Sequence, residues 1–164
     1  MSKFYLKQKV FSIGEKFTVK DELERDVYTV TGSFFSFVKN FAIFNAGGAE
    51  IAKITKKVFS FLPTFFVEIY GKQTFTIKKE FTFFTPKYQI DGLGLNVEGN
   101  FWAMDFVVKK GAETVAVINK KWFTWGDSYE VDVLYPEFET TIITLVIAID
   151  YVKMQQNSSS ANSN

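Results

Sequence analysis

Pro136-Glu-Phe-Glu-Thr-Thr-Ile-Ile-Thr-Leu-Val-Ile-Ala-Ile-Asp150 decides how the rest of the chain must fold. Pro136 suits a first helical turn, and Glu137 and Glu139 sit where the helix dipole favours negative charge. No Gly or Pro follows before Gln156, and Lys153 falls near the end, so the spacing predicts a helix over about 137–154. From Ile142 to Ile149 that helix is apolar on every face, and such a helix must be buried. Two alternatives stand beside this reading. A membrane span needs about 20 apolar residues, whereas this run lasts from Ile142 to Ile149 before Asp150 interrupts it. A strand would suit the β-branched residues, but the stretch from Pro136 is long for one.

The rest of the chain supplies strands to bury it. Short apolar or alternating runs recur, among them Val27-Tyr-Thr-Val30, Ile51-Ala-Lys-Ile54, Phe65-Phe-Val-Glu-Ile69, Val115-Ala-Val-Ile118 and Tyr129-Glu-Val-Asp-Val133. Turn signals separate them at Gly47-Gly48, Gly71-Lys72, Asp91-Gly92, Lys110-Gly111 and Gly126-Asp127. Twenty Phe and 18% aromatic residues favour strands as well. A barrel of about eight strands holds only its own side chains, while a helix is about 10–12 Å wide. The runs number about a dozen, the pattern of an all-β sandwich or barrel, and a barrel of a dozen strands could enclose one. The expected fold is mostly β: an antiparallel barrel of about twelve strands around the C-terminal helix, which would be its natural plug. One domain spans 1–154, and the polar stretch 157–164 is expected to be a disordered tail.

An internal repeat runs through the strands. Lys56-Lys-Val-Phe-Ser-Phe61 returns as Lys78-Lys-Glu-Phe-Thr-Phe83 and as Lys120-Lys-Trp-Phe-Thr-Trp125. At an offset of 64, Ala52 and Ile54 meet Ala116 and Ile118, while Phe65, Val67 and Ile69 meet Tyr129, Val131 and Val133. Gly-Ala-Glu precedes both copies, at 48–50 and 111–113. Two related halves, each an antiparallel meander, account for this.

Composition removes whole classes of chemistry. With neither Cys nor His in 164 residues, Ser-His-Asp and Cys-His nucleophilic machinery is impossible, as are Cys- or His-based metal sites. No phosphate-binding Gly-rich loop appears. The N-terminus has no apolar signal region, so a cytoplasmic protein is expected. A net charge of +1 gives no overall nucleic-acid signal.

The candidate site residues are charged. Residues 53–87 carry seven Lys against two Glu, while 88–150 carry ten acids against four Lys. The pairs Lys56-Lys57, Lys78-Lys79 and Lys120-Lys121 would bring the first half to an anionic lipid surface; the last pair, in the acidic half, is expected to matter less. Equally, Lys pairs on exposed strands or turns keep a Phe-rich barrel soluble and block edge pairing. The acidic stretch Asp21-Glu-Leu-Glu-Arg-Asp26 lacks calcium-loop spacing and reads as a polar hairpin turn. Asp150, after a fully apolar run, reads as a structural anchor that needs a partner. The spread Phe residues read as core.

Three stretches resemble the LURP-one-related family: Phe17-Thr-Val-Lys-Asp-Glu22 with Val27-Tyr-Thr-Val-Thr-Gly32, then Gly48-Ala-Glu-Ile-Ala-Lys-Ile-Thr-Lys-Lys57, and Leu145-Val-Ile-Ala-Ile-Asp150. The likeness covers roughly residues 1–154. It implies a twelve-stranded barrel around a central hydrophobic helix, related to tubby C-terminal domains and phospholipid scramblases. Tubby domains bind phosphoinositides through basic surface residues, and scramblases carry a calcium-binding acidic segment before the C-terminal helix. The corresponding residues here are Asp127, Glu137 and Glu139. The scramblase Pro-x-Asp-x-Asp pattern reads Pro-Glu-x-Glu in this chain, and its Cys-rich stretch is missing.

The functional expectation is a non-enzymatic binding or scaffold module without a cofactor, peripheral at an anionic membrane surface or bound to a protein partner. The alternative is a carrier or sensor of a small apolar ligand, which needs a hollow interior.

Overall fold

The computed structural model describes residues 1–7, 16–33, 40–81, 88–100, 103–123 and 126–161. Twelve strands form one sheet. The first six are β1 (Ser2–Lys7), β2 (Lys16–Asp21), β3 (Asp26–Ser33), β4 (Asn40–Asn45), β5 (Glu50–Lys56) and β6 (Thr64–Ile69). The second six are β7 (Lys72–Lys79), β8 (Tyr88–Asp91), β9 (Asn96–Asn100), β10 (Asp105–Lys110), β11 (Glu113–Phe123) and β12 (Gly126–Val133). A 3-10 turn, Pro136–Phe138, then leads into α1 (Glu139–Ala161).

Each strand pairs antiparallel with its sequence neighbour except across β8–β9, and β1 also pairs with β12, through Ser2↔Val133 to Lys7↔Ser128. The two ends of the chain thus meet in mid-sheet, and the free edges fall at β8 and β9. Among the described residues β8 and β9 are not paired with each other, so the expected twelve-stranded barrel-like fold carries an open seam. The turn 92–95 leads from one edge to the other. Both are short strands, and β9 is polar and largely exposed, as sheet edges commonly are. Gly99 of β9 has φ +115°, and a Cβ there would lie 2.9 Å from the Asp105 carbonyl oxygen, so no other residue fits that approach to β10.

The expected repeat is structural. Ala52↔Ile69 and Ile54↔Val67 between β5 and β6 recur as Ala116↔Val133 and Ile118↔Val131 between β11 and β12. The strands before them match as well: Phe41↔Ile54 and Ile43↔Ala52 recur as Phe106↔Ile118 and Val108↔Ala116. A register shift follows Ile43 in one copy and Val108 in the other.

Strand alternation turns Phe4, Val19, Val30, Ile54, Val67, Ile77, Val108 and Val131 inward, and α1 fills the space they surround. Every residue from Ile142 to Ile149 is no more than 2% exposed. Burying their six large aliphatic side chains contributes on the order of 10 kcal/mol before entropic costs. The Tyr151 ring packs 4.3 Å from Phe41 and 5.5 Å from Phe65, centroid to centroid. Among the described residues no helix is long and apolar enough to cross a membrane.

The expected tail differs in part. Residues 157–161 continue α1, and 162–164 lie outside the described residues. Nothing in Asn157-Ser-Ser-Ser-Ala161 stops a helix: Ser and Asn cost only a few tenths of a kcal/mol each, and no Gly or Pro follows.

Candidate functional site

All three Lys-Lys pairs lie at one end of the barrel, for a topological reason. In an antiparallel meander the odd-numbered strands run the same way, and each pair sits at or near the C-terminal end of β5, β7 or β11. That is the end at which the C-terminal half of α1 emerges. Neighbouring residues on a strand face opposite sides, so each pair is split. Lys56, Lys79 and Lys120 stand opposite the inward-facing Phe65, Tyr88 and Tyr129. Lys56 Nζ donates to Gln155 Oε1 at 3.3 Å, and Lys79 Nζ donates to Gln156 Oε1 at 3.1 Å. The Tyr88 hydroxyl donates to the same Gln156 oxygen at 3.0 Å. Lys57 and Lys78 are exposed, and Lys121 lies 3.3 Å from a Glu130 oxygen. Lys153 joins the group from α1, its Nζ 5.5 Å from the centre of the Tyr129 ring. Burial pushes the Lys153 ammonium below its usual pKa; nearby Asp150 opposes this shift and Lys120 adds to it.

The residues just past these pairs are exposed. Phe59 is 94% and Phe61 92% exposed in the β5–β6 connection, Val58 is half exposed beside them, and Phe81 after β7 is 67% exposed. This corrects the expectation that the Phe residues are core: these three fall beyond the strand ends, where alternation no longer turns them inward.

The opposite end is acidic. It gathers Asp21, Glu22, Glu24 and Asp26 of the β2–β3 hairpin with Glu50, Asp91, Glu113, Glu137 and Glu139. The charge asymmetry therefore runs along the barrel axis. It does not divide the two sequence halves, and Lys120 and Lys121 belong to the basic end with the others. It also matches α1, whose N-terminus points to the acids and whose C-terminus points to the lysines.

The acidic hairpin is held internally. Asp21 Oδ1 accepts from the Leu23 and Arg25 backbone N–H at 2.9 and 3.0 Å, and Arg25 Nη2 sits 2.6 Å from Asp21 Oδ2. The Arg25 hydrogen bond holds the Asp21 carboxyl below the usual carboxylate range.

Asp127, Glu137 and Glu139 do not converge, which corrects the grouping implied by resemblance. Asp127 lies at the start of β12, at the basic end, while Glu137 and Glu139 lie beyond its far end. The six residues of β12 that follow Asp127, at about 3.3 Å each, put roughly 20 Å of strand between them. Glu139 instead accepts a hydrogen bond from the Tyr28 hydroxyl. Among the described residues no cluster of three or more acids is placed to hold a metal ion.

Asp150 links α1 to β12: its Oδ1 accepts from the Tyr129 hydroxyl at 3.0 Å. Burial raises its pKa above the ordinary 3.8, against the opposing pull of Tyr129 and Lys153. The folded state therefore holds this proton more tightly than the unfolded chain does. Its contribution favours folding below pH 3.8 and is lost as pH rises through the raised pKa. Asp150→Asn keeps an acceptor for Tyr129 without the charge. Relative to the parent, its stability in urea is expected to improve from about pH 4 upward and then level off. A difference independent of pH would mean that burial does not disfavour the carboxylate.

A cleft of about 410 Å³ opens at the seam, lined by Tyr88, Ile90, Leu95, Asn96, Val97 and Glu98. It lies between the two sheet edges, whereas the space inside the strands is taken by α1.

A helix-filled barrel with one basic, aromatic-tipped end defines a class of binding fold, and sequence comparison places it. The chain belongs to the LURP-one-related family, whose profile matches residues 2–150. It is 32% identical over 152 residues to the uncharacterized protein YxjI of Bacillus subtilis, covering 93% of this chain and 94% of that one. The X-ray structure of an Arabidopsis thaliana protein shares the fold with a TM-score of 0.55 at 11% identity, covering 91% of each chain.

Proposed function

We propose that this protein is a non-enzymatic docking module that binds anionic lipid surfaces from the cytoplasmic side through the lysine-rich end of its barrel. The observation that carries this reading is the gathering of Lys56, Lys57, Lys78, Lys79, Lys120 and Lys121 at one end, where they outnumber Glu80, Asp105 and Asp127, with most of the acids at the other. Close to an anionic membrane each Lys contributes about 1 kcal/mol. Six of them on a chain of net charge +1 give an oriented attraction that net charge conceals. The seam cleft favours the carrier reading, but its open position between the edges suits a surface contact better than an enclosed ligand.

Co-sedimentation with vesicles tests the proposal. The protein is expected to pellet with vesicles containing phosphatidylglycerol, far less with pure phosphatidylcholine, and less as salt shortens the Debye length from about 10 Å at 0.1 M. Equal binding to both vesicle types, or none at low salt, overturns it.

A further inference from the structure

The lysines account for attraction to an anionic surface but not for Phe59 and Phe61, which are almost wholly in water at 94% and 92% exposure. Single exposed apolar residues are ordinary. These are not scattered: among the described residues, four of the seven large exposed hydrophobics (Val58, Phe59, Phe61 and Phe81) lie in the two connections that follow a Lys pair at the basic end.

The β5–β6 connection is also held at its base. The Lys57 backbone N–H donates to the Thr64 carbonyl at 2.8 Å, the Thr64 hydroxyl donates to the Leu62 carbonyl at 3.0 Å, and the Lys79 backbone N–H donates to the Pro63 carbonyl at 2.9 Å. A stem tied to both neighbouring strands thus presents two aromatic rings outward, with Lys56, Lys57, Lys78 and Lys79 behind them. Rings with lysines behind match the layering of a lipid interface, where apolar groups enter the acyl boundary and ammonium groups stay at the headgroups.

We propose that the 57–63 connection inserts Phe59 and Phe61 into the interfacial zone of an anionic bilayer while the surrounding lysines contact its headgroups. This rests on the lipid-binding reading above and adds to it an apolar, salt-resistant component. A second copy of the chain is the other candidate cover for the rings. A two-fold contact would bring one lysine-rich end against another, and like charges oppose that. An anionic surface has the complementary sign.

The absence of Cys gives a clean probe. Phe59→Cys carries the only thiol and takes an environment-sensitive fluorophore; Leu23→Cys, at an exposed site on the acidic end, is the control. On vesicles containing phosphatidylglycerol, the label at position 59 is expected to shift to the blue and become shielded from iodide, while the label at position 23 does neither. The double variant Phe59→Ser, Phe61→Ser is expected to bind about tenfold more weakly, with its remaining binding abolished by high salt. If the unaltered protein binds vesicles but the label at position 59 does not respond, insertion is wrong and the lysine-only reading stands. If the unaltered protein does not bind at all, both fall. A dimer in light scattering that the double variant dissociates assigns the rings to a second copy and also overturns insertion.

Discussion

Val146→Asp is expected to abolish the cooperative fold. Val146 is fully buried near the middle of the apolar run of α1. An unpaired carboxylate there costs several kcal/mol, against a total stability of about 5–15 kcal/mol for an ordinary domain. The sheet has no independent way to recover, because the inward side chains of all twelve strands share one core with the helix. Thr144→Val is the matched control two residues away. Among the described residues the buried Thr144 hydroxyl has no hydrogen-bond partner. Replacing it with an isosteric methyl is expected to leave stability unchanged or raise it by about 1 kcal/mol. Urea denaturation followed by far-ultraviolet circular dichroism separates the two. A Val146→Asp protein that unfolds cooperatively, with a midpoint close to that of the parent, would mean that the helix is not enclosed.

The architecture was legible because it rests on side-chain pattern. Ile142–Ile149 has no polar face, so the helix had to be surrounded, and the offset of 64 predicted equivalent residues that the register then matched pair for pair. The open seam was not legible. Whether β8 and β9 exchange hydrogen bonds depends on backbone approach, and side-chain alternation carries no record of it. The helix end was misplaced because a Ser/Asn-rich composition suggests a tail, while helix propagation past Gln156 costs little.

The candidate site was half legible. The lysine pairs stood out as a motif, but their convergence needed strand direction: sequence halves suggested one basic side, and the meander made a basic end. The split within each pair follows from alternation alone. The exposed Phe residues were missed because Phe in a strand-rich chain is ordinarily core; the available signal was position, since each lies two to four positions after a Lys pair, past the end of a strand. The separation of Asp127 from Glu137 likewise followed from the length of the strand between them.

Charge reversal at Lys56, Lys57, Lys78 and Lys79 is expected to weaken vesicle binding strongly, and the split within each pair shows which half of that variant is the cleaner test. Lys56 and Lys79 donate hydrogen bonds to Gln155 and Gln156, so changing them also disturbs the end of α1. Lys57 and Lys78 are exposed, and exposed substitutions usually cost within about half a kcal/mol of stability. Lys57→Glu with Lys78→Glu exchanges two positive charges for two negative ones, worth up to about 4 kcal/mol near an anionic surface at roughly 1 kcal/mol per charge. At low salt the double variant is therefore expected to bind at least about a hundredfold more weakly, with an unchanged melting temperature. Because Lys120 and Lys121 share the same end, Lys120→Glu with Lys121→Glu is expected to weaken binding as well, contrary to what their place in the acidic half of the sequence suggests. Vesicle affinity that survives in the Lys57→Glu, Lys78→Glu protein would return the lysine pairs to the task of keeping an aromatic-rich barrel soluble.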